Sequence, residues 1–305
     1  MYSAITIDGL RVLDAIDKKG TFSAAAESLY RVPSALTYTI QKLESDLGCK
    51  LFERQGQRAV LTEVGQLVLV QGRDILRAAF KLEDAVKQLE TGWEASITLA
   101  LDTALPELPL LSAIGEFTQL GKQVAINLRH ESLGGSWDAL YSGRADMAIG
   151  VSGELPRGQY HLVPLGLLEF VFAIAPSHPL SAFEQTIPSE ALLQFPAVIA
   201  SDSSISLAQR SSGLFDSRQT IRVPSMQSKI RAQCLGIGIG YLPKHLIRQE
   251  LADGRLMAKS VELPRPEQTL YLAWRKDSQA KALAWFAKRL PLCDWGLKPA
   301  PLMNQ

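Results

Sequence analysis

The chain has 305 residues, with 32 basic and 31 acidic side chains and a formal net charge of +1. A chain of that length is too long for a single hydrophobic core of ordinary size, so it predicts two or more folded units. The balanced charge gives no indication of a polyanionic partner. The apolar runs stay short of the ~20 residues that a membrane helix needs, and Asp8 and Asp14 interrupt the segment where a signal peptide would be apolar. We therefore expect a cytoplasmic protein with no membrane partner.

The first thirty residues predict two short helices. In IDGLRVLDAIDKKG, Leu10, Leu13 and Ile16 recur on one face, and Gly20 follows the last turn, where a left-handed residue is needed. The next segment, TFSAAAESLY, has Ser23 as a candidate N-cap and small alanines that allow close packing of a neighbouring helix. We expect these helices to pack against each other.

The stretch RVPSALTYTIQKLESDLG predicts a third helix, because Pro33 suits a first helical turn and Gly48 suits the position after the last. Its apolar stripe comprises Ala35, Leu36, Ile40, Leu43 and Leu47. The opposite face is polar but uncharged and comprises Ser34, Thr37, Tyr38, Gln41 and Ser45. Two helices joined by a short turn form a helix-turn-helix, and such a face suits base edges in a major groove about 12 Å wide.

Positive charge is concentrated in the segment that follows. Residues 50–54 and 58–61 are predicted as short strands around a turn at Gln55-Gly56, which makes a wing. Arg54 and Arg58 would flank this wing, where they meet phosphates or enter a minor groove.

A long helix is predicted from its cap at Thr62 to about Trp93. At 1.5 Å per residue it spans roughly 45 Å, which favours a dimer contact over a place in a compact core. Apolar or small residues recur in it at alternating spacings of four and three, namely Val68, Gly72, Ile75, Ala79, Leu82, Val86 and Leu89. That period is typical of a coiled-coil seam.

From Ser96 onward, short apolar runs are mostly separated by helical segments, which is typical of parallel sheets covered by helices. The runs are ITLAL, VAINL, MAIGV, VFAIA, AVIA, TIRV, IGIGYL and LYLAW. A region of this length suits two α/β lobes rather than one. Ligands in open α/β sheets bind beyond the carboxyl ends of strands, so the segments after the strands are candidate binding residues.

The chain resembles the LysR-type transcriptional regulators from about Ile5 to Leu290. The motifs that carry the resemblance are GTFSAAAESL at 20–29, SALTYTIQKLESDLGCKLFER at 34–54, LTEVG at 61–65, FAIAPSHPL at 172–180, GIGIGYLP at 236–243 and DGRL at 253–256. The resemblance implies a winged helix-turn-helix at 1–61 and a dimerising linker helix at 62–91. It also implies an α/β effector domain at 92–305 that resembles type 2 periplasmic binding proteins.

Within that effector domain, the resemblance implies subdomain I at 92–164 and 267–305 and subdomain II at 165–266, with a small effector between them. The implied partners are an inverted-repeat operator in double-stranded DNA, the effector, and further copies of the chain as a homodimer or homotetramer. RNA polymerase is a candidate partner as well. No cofactor or metal is expected.

The DNA-binding candidates come from the groove face, the wing and the resemblance, and they are Ser23, Pro33, Ser34, Thr37, Tyr38, Gln41, Arg54 and Arg58. Many members of the family have Gln where this chain has Pro33 and Arg where it has Tyr38, so we expect a different operator half-site. Structural alternatives are that Tyr38 packs its ring against the wing and that Ser34 and Thr37 cap the helix.

The resemblance places the effector site after the first strands of the domain and on facing loops of the second subdomain, at Asp102, Thr103, Glu131, Ser132, Ser201, Asp202, Ser203, Met226 and Gln227. For each residue a loop or cap role is the alternative. Many effectors in the family are carboxylates held by hydroxyls and helix N-termini. Acidic side chains at three of these positions instead predict a neutral, zwitterionic or cationic effector, with an aromatic ring as one option.

Three other functions compete with regulation. An enzyme is disfavoured because GIGIG at 236–240 lacks the third glycine of a dinucleotide fingerprint, and because the histidines share no metal-ligand spacing. Those histidines are His130, His161, His178 and His245. A solute-binding protein is disfavoured by the N-terminal helix-turn-helix. Redox sensing through Cys234 and Cys293 is the third alternative.

Overall fold

The computed structural model describes residues 3–55, 58–153, 158–210, 217 and 219–300. The chain divides into two compact units, Met1–Lys87 and Gln88–Gln305, and each has its own hydrophobic core. Among the described residues, no helix combines the length and apolar character that a membrane span requires.

The first unit contains a helical bundle and a small antiparallel sheet. Its elements are α1 (Ile7–Lys19), α2 (Phe22–Ser28), α3 (Pro33–Leu47), β1 (Phe52–Gln55), β2 (Arg58–Leu61) and α4 (Glu63–Thr91), of which α4 continues into the second unit. Gly20 and Gly48 end α1 and α3 with left-handed φ angles of 75° and 70°. The core is formed by apolar residues from all three short helices, including Leu13, Leu36 and Ile40.

Two helix caps test the sequence interpretation. Thr21, not Ser23, is the N-cap of α2, because its hydroxyl accepts a hydrogen bond from the N–H of Ala24 at 3.2 Å. The prediction of Ser23 as a cap was therefore wrong by two positions, and Ser23 is exposed. The Thr62 hydroxyl accepts from the N–H of Gly65 at 2.9 Å, so the predicted cap of the long helix is confirmed.

Helix α4 has an inward face that the predicted seam overlooked. Gly72 is buried, and a Cβ built on it would lie 2.6 Å from Leu10, so this position brings α4 close to α1. Leu69 and Leu76 are buried on the same side. The prediction that Gly72 belongs to a dimer seam was wrong, because glycine here serves packing within the unit.

The second unit begins with an α/β lobe built on a mixed sheet. Its strands lie in the order β4-β3-β5-β12-β6, with β3 parallel to β4 and β5, and with β12 antiparallel to β5 and β6. The strands are β3 (Ser96–Asp102), β4 (Ala125–Glu131), β5 (Met147–Val151), β6 (Tyr160–Leu168) and β12 (Gln268–Arg275). The helices α5 (Leu108–Thr118), α6 (Gly135–Tyr141) and α10 (Lys281–Arg289) accompany them. We call this part lobe I.

The other part of the second unit, which we call lobe II, has smaller sheets. Strand β7 pairs antiparallel with β10 and β11, and β8 pairs parallel with β9. The strands are β7 (Phe170–Ile174), β8 (Ala197–Ala200), β9 (Thr220–Val223), β10 (Gly240–Pro243) and β11 (Met257–Lys259). The helices are α7 (Ser189–Leu193), α8 (Met226–Cys234) and α9 (Arg248–Ala252). A bridge between Ala197 and Ile239 joins the sheets.

Lobe boundaries and strand directions differ from the sequence prediction in part. The predicted boundary at 164/165 cuts through β6, which pairs with β12 along its whole length, so the chain crosses to lobe II at Glu169 instead. The parallel-sheet pattern is also incomplete, because β12 and the β7 pairings are antiparallel. Strands β6 and β11 were not predicted, since neither is a short, uninterrupted apolar run.

Candidate DNA-binding and effector sites

Helix α3 separates a buried face from an exposed polar face. Leu36, Ile40 and Leu43 are buried in the first unit. The opposite positions Ser34, Tyr38, Gln41 and Ser45 are exposed, and 68% of the Tyr38 side-chain surface is open to solvent. Such exposure is not that of a packed ring, so the described residues do not support the alternative in which Tyr38 packs against the wing.

The first turn of α3 offers further hydrogen-bonding groups. Its N-cap residue, Val32, has no side-chain acceptor, so no capping hydrogen bond from a side chain reaches the first N–H groups of the helix. Thr37 is half-buried and donates its hydroxyl proton to the carbonyl of Pro33 at 3.0 Å, which leaves its oxygen as an acceptor only. Ser34 does not cap the helix, since it lies after Pro33.

The turn before α3 carries an aromatic side chain that sequence analysis did not select. Tyr30 is 98% exposed and has a positive φ of 54°, an uncommon conformation for a residue with a Cβ. This turn is held on α1 by Arg31, whose guanidinium lies 2.8 Å from a carboxylate oxygen of Asp8. Its position directly after the segment AAAESL is the sequence feature from which Tyr30 could have been selected as a candidate.

Glu44 joins α3 to the start of the wing. Its carboxylate accepts the N–H of Leu51 at 2.9 Å and that of Phe52 at 3.4 Å, and it receives the Lys50 ammonium at 2.6 Å. Burial by itself raises the pKa of Glu44, but these donors outweigh burial and leave the pKa below its ordinary value. The strand pair then runs from Phe52 opposite Leu61 to Gln55 opposite Arg58.

Arg54 and Arg58 belong to the wing strands, as predicted for the backbone. Their side chains lie outside the part of the chain whose side chains the structure describes. Their role in phosphate contact therefore stays a prediction.

The cleft between lobes I and II contains four of the predicted effector residues. Asp102 ends β3, Thr103 and Ser132 directly follow β3 and β4, and Met226 begins α8 of the facing lobe. The hydroxyls of Thr103 and Ser132 lie 2.9 Å apart. The N–H of Met226 donates to the Thr103 hydroxyl at 3.3 Å, so hydrogen bonds cross from one lobe to the other.

These residues line a small cavity of about 30 Å³, which has room for about two water molecules. Its lining is completed by residues from both lobes, namely Ala104, Leu133, Gly150, Ser152, Leu168, Phe170, Ala200, Arg265, Gln268 and Leu270. A larger ligand enters only if the lobes separate, as in hinge closure around a bound molecule.

Asp102 is the acidic residue that lines this cavity. Its carboxylate accepts the N–H of Ala104 at 2.7 Å and is 6% exposed. Burial raises the pKa of Asp102 to about 7, and the neighbouring carboxylates of Asp202 and Glu131 add to that effect. The N–H groups of Ala104 and Leu133 act in the opposite direction.

The other acidic residues are satisfied by donors outside the cavity lining. Asp202 accepts the N–H groups of Gly134 at 3.1 Å, Ser204 at 2.7 Å and Arg210 at 2.6 Å. Glu131 accepts from Arg144 at 3.0 Å. Their negative charge is therefore not directed at a ligand in the way that the sequence interpretation assumed.

Residues 201–210 of lobe II, which we call the strap, lie against lobe I. The Ser203 hydroxyl lies 2.5 Å from a Glu131 carboxylate oxygen. Asp138, which also pairs with Arg144 at 2.6 Å, accepts the N–H groups of strap residues at 2.6–3.1 Å, and these are Ile205, Ser206 and Leu207. A Cβ on Gly135 would overlap the Ser203 hydroxyl, so the close contact between the strap and the start of α6 requires glycine at this position.

The strap changes the interpretation of three predicted effector residues. Ser201 donates its N–H to the carbonyl of Val223 at 2.8 Å, and Asp202 and Ser203 bind the strap to lobe I. None of the three appears among the residues that line the cavity in the described part of the chain. Direct effector contact by these three residues stays a prediction; in this structure the side-chain oxygens of Asp202 and Ser203 serve the strap and its contact with lobe I.

Comparison with known proteins matches both units to one family. Residues 7–66 match the family model for the bacterial regulatory helix-turn-helix protein of the lysR family, and residues 90–291 match the LysR substrate binding domain. The chain is a LysR-type transcriptional regulator. The family resemblance seen in the sequence, the predicted fold class and the predicted function as a transcriptional regulator are thus confirmed.

Relatives and solved structures extend along nearly the whole LysR-type chain. YeeY of Escherichia coli K12, an uncharacterized HTH-type transcriptional regulator, is 36% identical over 92% of this chain and 91% of its own. YhaJ, a probable regulator of the same organism, is 33% identical over 94% and 96%. The fold is similar to the full-length Vibrio cholerae virulence activator AphB, with a TM-score of 0.57 at 17% identity over 94% of this chain and 98% of that one. It is also similar to CbnR complexed with its target DNA, with a TM-score of 0.58 at 18% identity over 94% and 99%.

Membership of the LysR family decides against the enzyme alternative. The matched models and relatives are transcriptional regulators, so the prediction that the protein is not an enzyme is confirmed. Members of the family bind DNA and small-molecule effectors and are oligomeric. Cys234 and Cys293 are free thiols, and burial raises the pKa of each above its ordinary value, which disfavours a reactive thiolate.

Proposed function

We propose that this LysR-type regulator binds an inverted-repeat operator as a homodimer, with α3 in the major groove and the wing on the DNA backbone. The observation that carries the proposal is the exposed, uncharged face of Ser34, Tyr38 and Gln41, whose opposite face is buried. Such groups match the donors and acceptors of base edges. The start of α3 has no side-chain cap, although the N–H of Ala35 donates to the carbonyl of Val32 at 3.0 Å, and such a helix N-terminus suits a phosphate.

We further propose that the effector binds between lobes I and II, at the cavity lined by Asp102, Thr103, Ser132 and Met226. Binding would change the separation of the lobes and shift the population between two arrangements of the DNA-binding units. A homotetramer, contact with RNA polymerase and a cytoplasmic location are proposed from the family resemblance and from the DNA partner.

The groove assignment is tested by selecting duplexes from a random DNA library with the purified full-length protein. Affinity for the selected duplex and for a scrambled duplex is then measured by fluorescence anisotropy across a salt series. Ser34→Ala or Gln41→Ala should weaken binding to the selected duplex by roughly 1–3 kcal/mol and leave the scrambled duplex unaffected. Equal losses on both duplexes would remove α3 from the role of base reader.

The wing assignment gives a different expected pattern. Arg54→Ala should weaken binding to both duplexes and lower the slope of log affinity against log salt by about 1, because a phosphate contact releases a counterion. Gln66→Ala, at an exposed position on α4, is the control and should change neither quantity.

A further inference from the structure

The cavity between the lobes is lined by one acidic and one basic side chain. Asp102 lines it from lobe I, and Arg265 lines it from the segment that leads out of lobe II. Among the described residues, no ion pair joins these side chains, and neither has another ion-pair partner. A buried charge without a counter-ion is costly, so each invites a ligand group of opposite sign.

Among the described residues, an aromatic ring and not a carboxylate holds Arg265. Its guanidinium carbon lies 3.9 Å from the centroid of the Phe170 ring, a cation–π contact that fixes the plane of the group. Burial lowers the pKa of Arg265, and the nearby Tyr241 acts weakly against that effect. Since an arginine stays charged in proteins, this cavity wall is positive.

Asp102 forms the opposing wall. Its hydrogen-bond donors are the backbone N–H groups of Ala104 and Leu133, which orient the carboxylate but carry no positive charge. The hydroxyls of Thr103 and Ser132 are engaged with each other and with the backbone of lobe II. The two charges are thus the groups best placed to recognise a ligand.

We propose that the effector is a small zwitterion whose ammonium group binds Asp102 and whose carboxylate binds Arg265. Its apolar part contacts Leu168, Phe170 and Leu270 at the hinge side. Because the charges belong to different lobes, one molecule that meets both ties lobe I to lobe II. This inference rests on the proposed effector site and narrows the class of molecule that binds there.

The test uses the full-length protein and matched sets of three probes. One set is phenylalanine, phenethylamine and 3-phenylpropionate, and another is leucine, isoamylamine and 4-methylpentanoate. The remaining α-amino acids, β-alanine and γ-aminobutyrate are added as further zwitterions. We expect at least one zwitterion to raise Tm by roughly 3 °C or more, and its amine and acid to have no comparable effect.

Calorimetric titration of that zwitterion then measures the role of each charge. Asp102→Asn and Arg265→Gln should each weaken binding at least ~10-fold, the scale of a lost charge-assisted hydrogen bond. Arg265→Lys should retain part of the affinity. The matched controls are Asp277→Asn and Arg255→Gln, which remove exposed charges from lobes I and II and should leave Kd unchanged.

The outcomes separate the zwitterion from the proposed site. Equal stabilisation by the amine or by the acid, unchanged affinity in the Asp102 and Arg265 variants, or no response to any zwitterion would overturn the zwitterion proposal. If a singly charged probe binds and Met226→Trp, which fills the cavity, abolishes its binding, the site between the lobes stands and only the ligand class fails. If a probe binds and Met226→Trp has no effect, the site itself is wrong.

Discussion

At the scale of single residues, an acidic side chain inside an apolar face organises the DNA-binding unit. Glu44 lies on the buried side of α3, where the helical period predicts an apolar side chain. Its carboxylate joins the helix to the wing by accepting the backbone N–H groups of Leu51 and Phe52. Its partners follow it in the chain by six to eight positions.

Glu44→Ala should destabilise the first unit by roughly 1–3 kcal/mol, because the buried N–H of Leu51 loses its acceptor. Glu44→Gln keeps an acceptor oxygen and should cost less. The folded-state pKa of Glu44 is lowered, so its contribution is present above the unfolded pKa and is lost as pH falls through the folded value. Urea unfolding near pH 7 and pH 4 measures this; an equal loss for Ala at both pH values would contradict it.

Asp102 has the opposite pH dependence. Its folded pKa of about 7 exceeds the value of 3.8 for an ordinary aspartate, so the folded state binds more protons between these values and stability falls as pH rises through that window. The nearby acids Asp202 and Glu131 strengthen the effect. Asp102→Asn should flatten this slope and raise stability at pH 8 by roughly 1 kcal/mol or more. Parallel stability curves for the variant and the wild type would refute the assignment.

At the scale of elements, α4 combines two faces with different tasks. Gly72, Leu69 and Leu76 are buried, whereas Ile75, Leu82 and Val86 are exposed apolar residues on a neighbouring stripe. Of the predicted seven-residue repeat, Ile75, Leu82 and Val86 are exposed, whereas Val68 packs against the core and Gly72 is buried, because neighbouring stripes of a helix share four- and three-residue spacings.

Leu82→Asp should separate dimers into monomers without loss of helix content, since its side chain is 68% exposed in the single chain. Gln66→Asp places the same charge elsewhere on α4 and serves as the control. Light scattering measures the mass and circular dichroism the helix content. A mass that Leu82→Asp leaves unchanged would exclude this face as the seam.

The strap is the second element with a measurable role. Asp202→Ala removes the acceptor for the N–H groups of Gly134, Ser204 and Arg210, so we expect faster hydrogen exchange of these amides, by roughly 10-fold or more. Mass spectrometry of peptides that cover 131–140 and 201–210 detects it. Asp253→Ala, on the surface of lobe II, is the control; identical exchange in both variants would mean that the strap is held by other contacts.

At the scale of the whole molecule, the proposed dimer of helix-turn-helix units would bind two half-sites on one face of the duplex. Inserting about 5 bp between the selected half-sites turns one of them to the opposite face and should weaken binding at least ~10-fold. Inserting about 10 bp should restore part of the affinity. Anisotropy with the full-length protein measures both; equal binding to all spacings would show that the half-sites are read independently.

The sequence by itself determined the features that depend on local chemistry. Pro33 begins α3, Gly48 ends it, and Thr62 caps α4. The separation of apolar from uncharged polar residues defines the exposed face of α3. Each depends on backbone angles or on a helical period, and both are set by residues within a few positions. Motif order in turn identified the family.

Only the tertiary structure decided which polar groups are free. Asp102, Glu131 and Asp202 looked alike in sequence, yet two of them are satisfied by donors up to tens of residues away, and Asp102 lines the cavity. Arg265 belongs to no sequence motif. It is a candidate effector-binding residue only because the fold brings it next to Phe170 in the cavity wall. The physical reason is that the availability of a charge depends on its counter-groups, and long-range folding brings those together.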